Sequence, residues 1–341
     1  MGLKCDPDRG VWGTARFTRE PAERGWMKGA KQTTLRGPVA ISGIGVHSGQ
    51  PVTLTLNPGD DDTGIIFQRV TADGSLEREI RADVRAVTAT EFATVLGDAK
   101  GPLCSTAEHI LAALRGLNVD NVVVEIDGPE VPIMDGSAAA FVDALDQAGL
   151  TERALPRRFI EVIKPVRVTT DTSLGELRPY DRGFRVEAEI EFNHPLIGKQ
   201  ALALDIEPKS FRTEIARART FGFMKDVAKL WSAGYALGAS FDNTLVVSDD
   251  RVLNPEGLRF SDEFVRHKVL DAVGDLALAG LPLIAAYKTV RGGHKLNHAV
   301  LSALMADTSA WRVVEAAETP VRRGRAKAAG AVAPAYGPDK T

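Results

Sequence analysis

SDEFVRHKVLDAVGDLALAG, residues Ser261 to Gly280, opens with acidic residues suited to a helix start and ends on a glycine. Between them Phe264, Val265, Val269, Leu270, Val273, Leu276 and Leu278 recur at helical spacing, so the stretch reads as a helix packed on a core. His267 and Asp271 stand four residues apart in it and Asp275 four further on, so one stripe of the helix carries an imidazole and two carboxylates. That is a metal-ligand spacing. It is also the spacing of a charge ladder on a solvated face, and the rest of the chain has to decide between them.

Working outward, strand-like runs at 159–168, 176–179 and 184–192 precede this helix, and a buried run at 283–287 and a last helix through Leu296, Val300 and Leu304 follow it. The first half has the same grammar. Strand-like runs at 52–56 and 65–67, separated by turn clusters at Asn57-Pro58-Gly59 and 60–64, suggest antiparallel strands, and 80–97 continues in that manner. A helix containing Ile110, Leu111, Leu114 and Leu117 comes next, capped by Ser105 or Thr106, with Glu108 and His109 in its first turn. A buried strand at 122–126 and a helix from Asp135-Gly136-Ser137 through Phe141 and Leu145 complete the half.

The repeated order predicts an α+β fold of two related domains, each a β-sheet layered with helices: 31–155 and 156–318, joined at the polar, proline-containing Leu155-Pro156-Arg157-Arg158. Face-to-face packing would turn both histidine-bearing helices into one interdomain cleft, a usual place for a site. Residues 1–30 mix glycine, proline and charge without a hydrophobic period and read as a disordered extension or a start placed upstream of Met27; 319–341 read as a flexible tail. An insertion at about 193–250 has no counterpart in the first half. Its Phe221, Phe223, Met224, Trp231, Leu237 and Phe241 suit either core packing or an apolar channel for a lipid chain.

A length of 341 residues fits two domains, and 44% apolar with 26% charged residues is the balance of a soluble globular chain. A formal charge of -3 argues against nucleic acid as the main partner. Cys5 and Cys104 are the only cysteines, too few for a disulfide framework or a cysteine-rich metal site, so a metal would be held by His, Asp or Glu. No apolar run is long enough to span a bilayer and no secretory leader is recognised, so the expected location is cytoplasmic, with at most peripheral membrane contact through the basic tail.

Three dispersed motifs bear on the first helix: Glu108-His109, His267-x-x-x-Asp271 and Gly292-Gly293-His294. Two histidines and a carboxylate make a sufficient first set of ligands for a catalytic metal, and a neighbouring carboxylate can serve as base. With STAEHILAAL, GPEVPIMDGSA, RARTFGFMKD and DEFVRHKVLDAVGDLALAG, the chain from about Lys31 to about Ala317 closely resembles the UDP-3-O-acyl-N-acetylglucosamine deacetylases of lipid A synthesis. The resemblance implies zinc, with ferrous iron compatible, on His109, His267 and Asp271. It implies Glu108 as general base and His294 as the cation that stabilises the oxyanion and protonates the leaving amine, oriented by Asp275. Thr220 would donate a hydroxyl hydrogen bond to the developing oxyanion.

It further implies substrate contacts from Phe221 on the glucosamine ring, from Lys268 and Asp226, from Arg291 near the diphosphate, and from Phe241 along a passage for the acyl chain. Such a protein would act as a monomer on a UDP-linked acylated amino sugar, releasing acetate. A binding module that kept the fold without turnover is the alternative. The run Glu91-Phe92-Ala93 and the N-terminal stretch depart from the family pattern and leave the shape of the cleft open.

Overall fold

The computed structural model describes Met27 and residues 29–317 apart from Ala72, so nearly all of the two stretches expected to be disordered lies outside the described residues. Met27 itself is buried against Phe159, Ile284 and Ala316, with Ala30 packed beside it. Met27 and Ala30 therefore belong to packed chain although they fall inside the expected 1–30 extension.

The fold is α+β. In the first half, Val39–Ile44, Pro51–Pro58, Val122–Ile126, Ile65–Val70 and Leu76–Arg81 form a five-stranded sheet in that order. Its pairings are antiparallel except Ile65–Val70 with Val122–Ile126, which run parallel, so the sheet is mixed rather than wholly antiparallel. Parallel neighbours need a long crossover; here the connection passes through the small sheet of Val87–Ala89, Val95–Asp98 and Gly101–Cys104 and the helix Glu108–Gly116. The helix Ala139–Ala148 completes this layer.

In the second half, Leu283–Val290 is the hub of a seven-stranded sheet. It pairs parallel with Arg158–Val162 and Phe184–Glu191 and antiparallel with Leu174–Arg178. Five residues at its start are buried, so it reads as a continuous apolar run rather than an alternating one. Lys199–Asp205 lies on this sheet too, paired with Phe184–Glu191, so that part of the expected insertion is sheet. Lys31–Leu35 pairs with Leu150–Pro156, joining the beginning of the first half to its end. The chain then runs directly into the next strand at Arg158, with Arg157 buried, so the expected linker is extended, paired chain rather than a loop.

The stretch quoted first is a helix over Glu263–Ala277, with Gly280 closing it in the left-handed region (φ 83°). Of its residues only Arg266 and Lys268 escape burial, and the polar stripe is inside: His267 is 2%, Asp271 1% and Asp275 2% exposed. The charge-ladder reading fails here, because a helix buried on all sides has no solvated face. Glu108–Gly116 is wholly buried and crosses it closely. A Cβ on Gly274 would overlap the Glu108 carbonyl, so the contact between the two helices depends on glycine at that position. Their crossing brings Glu108 and His109 against His267, Asp271 and Asp275.

Candidate metal centre and catalytic cleft

One nitrogen of each of His109 and His267 and one carboxylate oxygen of Asp271 lie within 4.8 Å of one another. His267 Nε2 is 3.2 Å and His109 Nε2 3.9 Å from the same oxygen, Asp271 Oδ1. The four-residue spacing places His267 over Asp271, while His109 comes from the facing helix. The far nitrogen of His267, Nδ1, donates to the Ala218 carbonyl at 3.0 Å, which leaves Nε2 with its lone pair turned inward. His109 Nδ1 has no partner among the described residues.

Burial, assisted by His267, pushes the His109 pKa down to about 3, and burial lowers His267 likewise, so both rings are neutral near pH 7. Burial alone would raise Asp271, but His267 and Lys268 hold it well below the usual carboxylate range. Two neutral imidazoles and one carboxylate with ligand atoms within 4.8 Å of one another suit a divalent metal with one position left open.

Arg219 holds the Ala218 carbonyl in place. It is 1% exposed and its Nε and Nη2 pair with Glu263, itself fully buried at the head of the helix, at 2.9 and 3.2 Å. The Arg219 backbone N–H also donates to Glu263 at 3.0 Å. Arg219 stands within the motif RARTFGFMKD, but composition offers no sign that it acts through a neighbour's carbonyl.

Beside the triad, Glu108 Oε1 lies 3.8 Å from His294 Nε2. His294 Nδ1 donates to Asp275 Oδ2 at 2.9 Å, and Asp275 also accepts from Asn297 Nδ2 (2.8 Å) and Thr94 Oγ1 (2.5 Å). Thr94 reaches both acids, since its backbone N–H donates to Glu108 Oε2 at 3.0 Å. Tyr287 orients Asn297 through a 2.7 Å hydroxyl bond to its amide oxygen. Thr94, Asn297 and Tyr287 were not singled out from the sequence; in strand-like and helical runs such residues look like ordinary packing.

Burial raises Glu108 to about 7, against the opposing pull of His294. Burial would lower His294, but the carboxylates of Asp275 and Glu108 outweigh it and raise the imidazole to about 10. His294 is the first residue of the helix His294–Ala306, following Gly292-Gly293. Gly292-Gly293 absorbs the turn and leaves the ring free to lean back on Asp275. Thr106 corrects an expectation: the helix Glu108–Gly116 has no side-chain cap, because the Thr106 hydroxyl donates to the buried Glu130 instead, at 2.8 Å.

Lys268, expected near substrate, donates from Nζ to Asp271 Oδ2 at 2.8 Å, so it braces the oxygen that does not face the histidines. Its ammonium lies 5.5 Å from the centre of the Phe221 ring, and that ring is 6.5 Å from His267. Thr220 sits between Ala218 and Phe221, half-buried, its main chain bonded to Gly136 and Leu245. The strand Phe221–Phe223 pairs with Leu245–Val247, and a small aromatic group of Phe192, Phe221, Phe223 and Phe264 packs there.

The other expected substrate residues lie outward. Phe241 is 48% exposed and Asp226 is exposed ahead of the single-turn helix Val227–Ser232. Arg291 donates from Nε to the Thr172 carbonyl at 2.7 Å and pairs with Glu191 at 3.1 Å, so it is tied to the rim of the second sheet. Met224, Trp231 and Leu237 are more than half exposed, which rules out core packing for this part of the insertion. Phe92, in the atypical run, packs on Tyr235 with ring centres 4.8 Å apart and planes tilted by 58°, and meets His47 at 6.5 Å, so it borders the insertion.

The family model described as LpxC, UDP-3-O-acyl N-acetylglycosamine deacetylase, matches residues 32–306. The proteins named UDP-3-O-acyl-N-acetylglucosamine deacetylase of Brucella ovis and Brucella canis are 52% identical over 288 residues, 84% of this chain and 99% of theirs. That of Brucella melitensis biotype 2 is 51% identical over the same length. On a family match that covers most of the chain and relatives spanned almost end to end, the chain belongs to the UDP-3-O-acyl N-acetylglycosamine deacetylase family.

Proposed function

We propose that the protein hydrolyses the acetamide of a UDP-3-O-acyl-N-acetylglucosamine, giving acetate and the free amine, the step that commits the sugar to lipid A. One observation carries the reading: beside the His109, His267 and Asp271 triad, a carboxylate and an Asp-bound imidazole face each other across 3.8 Å. Amide hydrolysis requires that pairing, a base for water and an acid for the departing nitrogen.

His109, His267 and Asp271 would hold the metal, and this donor set suits Zn²⁺ while also accepting Fe²⁺. When bound, the metal supplies Lewis-acid polarisation of the acetamide carbonyl and acidifies water. Glu108, with a pKa near neutrality, takes a proton from the water whose oxygen attacks the carbonyl carbon. His294, cationic at neutral pH, faces the oxyanion and gives its proton to the nitrogen as the C–N bond breaks. Asp275 keeps the ring oriented through Nδ1. The Thr220 hydroxyl donates to the same oxyanion, and Lys268 holds Asp271 charged and in place.

Phe221 would carry the glucosamine ring, Arg291 and Asp226 polar parts of the substrate, and Phe241 the acyl chain. Among the described residues no helix is long and apolar enough to cross a membrane. The soluble substrate head group suits a cytoplasmic monomer with peripheral membrane contact at most. The test is acetate release from the UDP-linked substrate by the purified full chain, before and after chelation and with metal restored. Acetate release that is lost on chelation and regained with one equivalent of Zn²⁺ is the expected result; substrate binding without release at saturating metal would establish the non-catalytic alternative.

A further inference from the structure

Away from the metal centre, the described residues concentrate unmatched hydrogen-bond donors in one place. Arg115 Nε and Nη1, Arg157 Nη2 and Arg158 Nε are buried atoms without a hydrogen-bond partner. Arg115 is 8% exposed, and its ion pair, to Asp120, is 3.8 Å long, beyond hydrogen-bonding reach. Asp120 is already occupied, since it accepts from Arg157 Nε at 2.9 Å and from the Thr33 backbone N–H at 3.1 Å. Asp62 is likewise engaged, by Arg158 at 2.6 Å and Gln32 at 2.8 Å.

Arg115 and Arg158 line a cleft, open to solvent, that shares no lining residue with the metal site. Its walls bring the guanidiniums of Arg81, Arg115 and Arg158 against the carboxylates of Asp62 and Asp120, an excess of one positive charge. The helix Glu108–Gly116 ends at this cleft in Arg115, and the turn Gly280-Leu281-Pro282 that follows the helix Glu263–Ala277 forms the opposite wall. Helix C-terminal carbonyls are natural acceptors for a guanidinium. Here those of Ala113, Leu114 and Arg115, and of Asp275, Leu276 and Ala277, already accept from backbone N–H groups of the following turns.

We propose that this cleft binds a phosphate-type oxyanion, with Arg115 as its main donor and Arg158 as the second. A tetrahedral anion offers acceptor lone pairs in several directions and matches the fork of a guanidinium. It would neutralise the excess charge, which a water molecule satisfying the same N–H groups would not. Burial that lowers Arg115 to about 10, opposed by Asp120 and reinforced by Arg157, agrees with a guanidinium short of negative charge. The anion would tie together the far ends of the two helices that carry His109, His267 and Asp271. Free inorganic phosphate and the phosphoryl end of a small phosphomonoester present the same chemistry to the cleft.

The experiment is thermal unfolding of the full chain in rising inorganic phosphate and, separately, glycerol 3-phosphate, with sodium chloride added to hold ionic strength constant. A saturable rise in Tm, about 3 °C at ten times Kd, is expected with one or both anions. Whichever anion produces it identifies the source. Arg115→Gln should abolish the rise, while Lys268→Gln, at the metal centre, should keep it. If Arg115→Gln does not fold, Arg158→Gln provides the second arm and should weaken apparent affinity at least about tenfold, the loss of one charge-assisted contact. A rise no larger than that of chloride, one that survives Arg115→Gln or Arg158→Gln, or one that disappears in Lys268→Gln overturns the proposal.

Discussion

At the scale of single residues, their surroundings set Glu108 and His294 apart from an ordinary carboxyl and an ordinary imidazole. Each has been moved from its ordinary pKa, the carboxyl up to about 7 by burial and the imidazole up to about 10 by Asp275 and Glu108 against burial. On the proposed roles, activity needs Glu108 ionised and His294 protonated, so kcat/KM should rise with pH through the first value and fall through the second. A bound cation favours the carboxylate and disfavours the imidazolium, so both limbs of the loaded enzyme should lie below those values; an acid limb above 7 would contradict the assignment. Glu108→Gln should lower kcat by about 10²–10⁴-fold with metal content, read by elemental analysis, unchanged. Thr94 offers a subtler case, because it bonds both acids. Thr94→Val keeps the shape and the backbone bond but removes one donor to Asp275, an interaction of about 1.5–3 kcal/mol. We expect kcat to fall by about tenfold or more with KM little changed, and Thr94→Ser to restore it; equal losses in both variants would mean that packing alone is at stake. Sequence made His267 and Asp271 visible through their spacing and the remaining roles through resemblance. Thr94 stayed hidden because its part depends on joining Glu108 to Asp275, an acid 181 residues away in the chain.

At the scale of elements, the helix Glu263–Ala277 was legible from its apolar period, but the burial of all its residues except Arg266 and Lys268 was not. A stripe of His and Asp looks the same in sequence whether it faces water or a partner helix, and here the partner is Glu108–Gly116. Gly274 permits that approach, and Gly274→Ala should force the helices apart. A clash with backbone has no flexible side chain to yield, so the cost should be at or above the usual 1–3 kcal/mol of overpacking, read as a lowered Tm together with weaker metal retention. Normal stability with normal metal content would show that the crossing has slack. The short insertion elements around Phe221–Phe223 and Val227–Ser232 were legible only as apolar chain, since a solvent-facing Trp231 or Phe241 carries no period that separates it from core. If Phe241 borders the acyl passage, Phe241→Ala should raise KM for long-chain substrates and leave short-chain analogues unaffected, each lost CH₂ contact contributing up to about 0.8 kcal/mol.

At the scale of the whole molecule, the repeated order of strands and helices announced an α+β fold, whereas the mixed pairing within the first sheet and the zip between Lys31–Leu35 and Leu150–Pro156 were invisible. Pairings between distant segments leave no local pattern, because either partner would read as a strand with any neighbour. Metal bridging the two halves should stabilise the native state by about 4 kcal/mol at a thousandfold excess over Kd, seen as a drop in Tm on chelation that Zn²⁺ reverses. His109→Ala and Asp271→Ala should each remove that response, although the residues belong to different halves. The same division has a consequence for biogenesis. During synthesis His109 emerges roughly eight to thirty seconds before His267, at ~5–20 residues per second, so the nascent first half passes the ribosome without His267 and Asp271. A metal held by His109, His267 and Asp271 together would therefore not nucleate folding of that half, and its capture would mark the moment when the closing helix has docked.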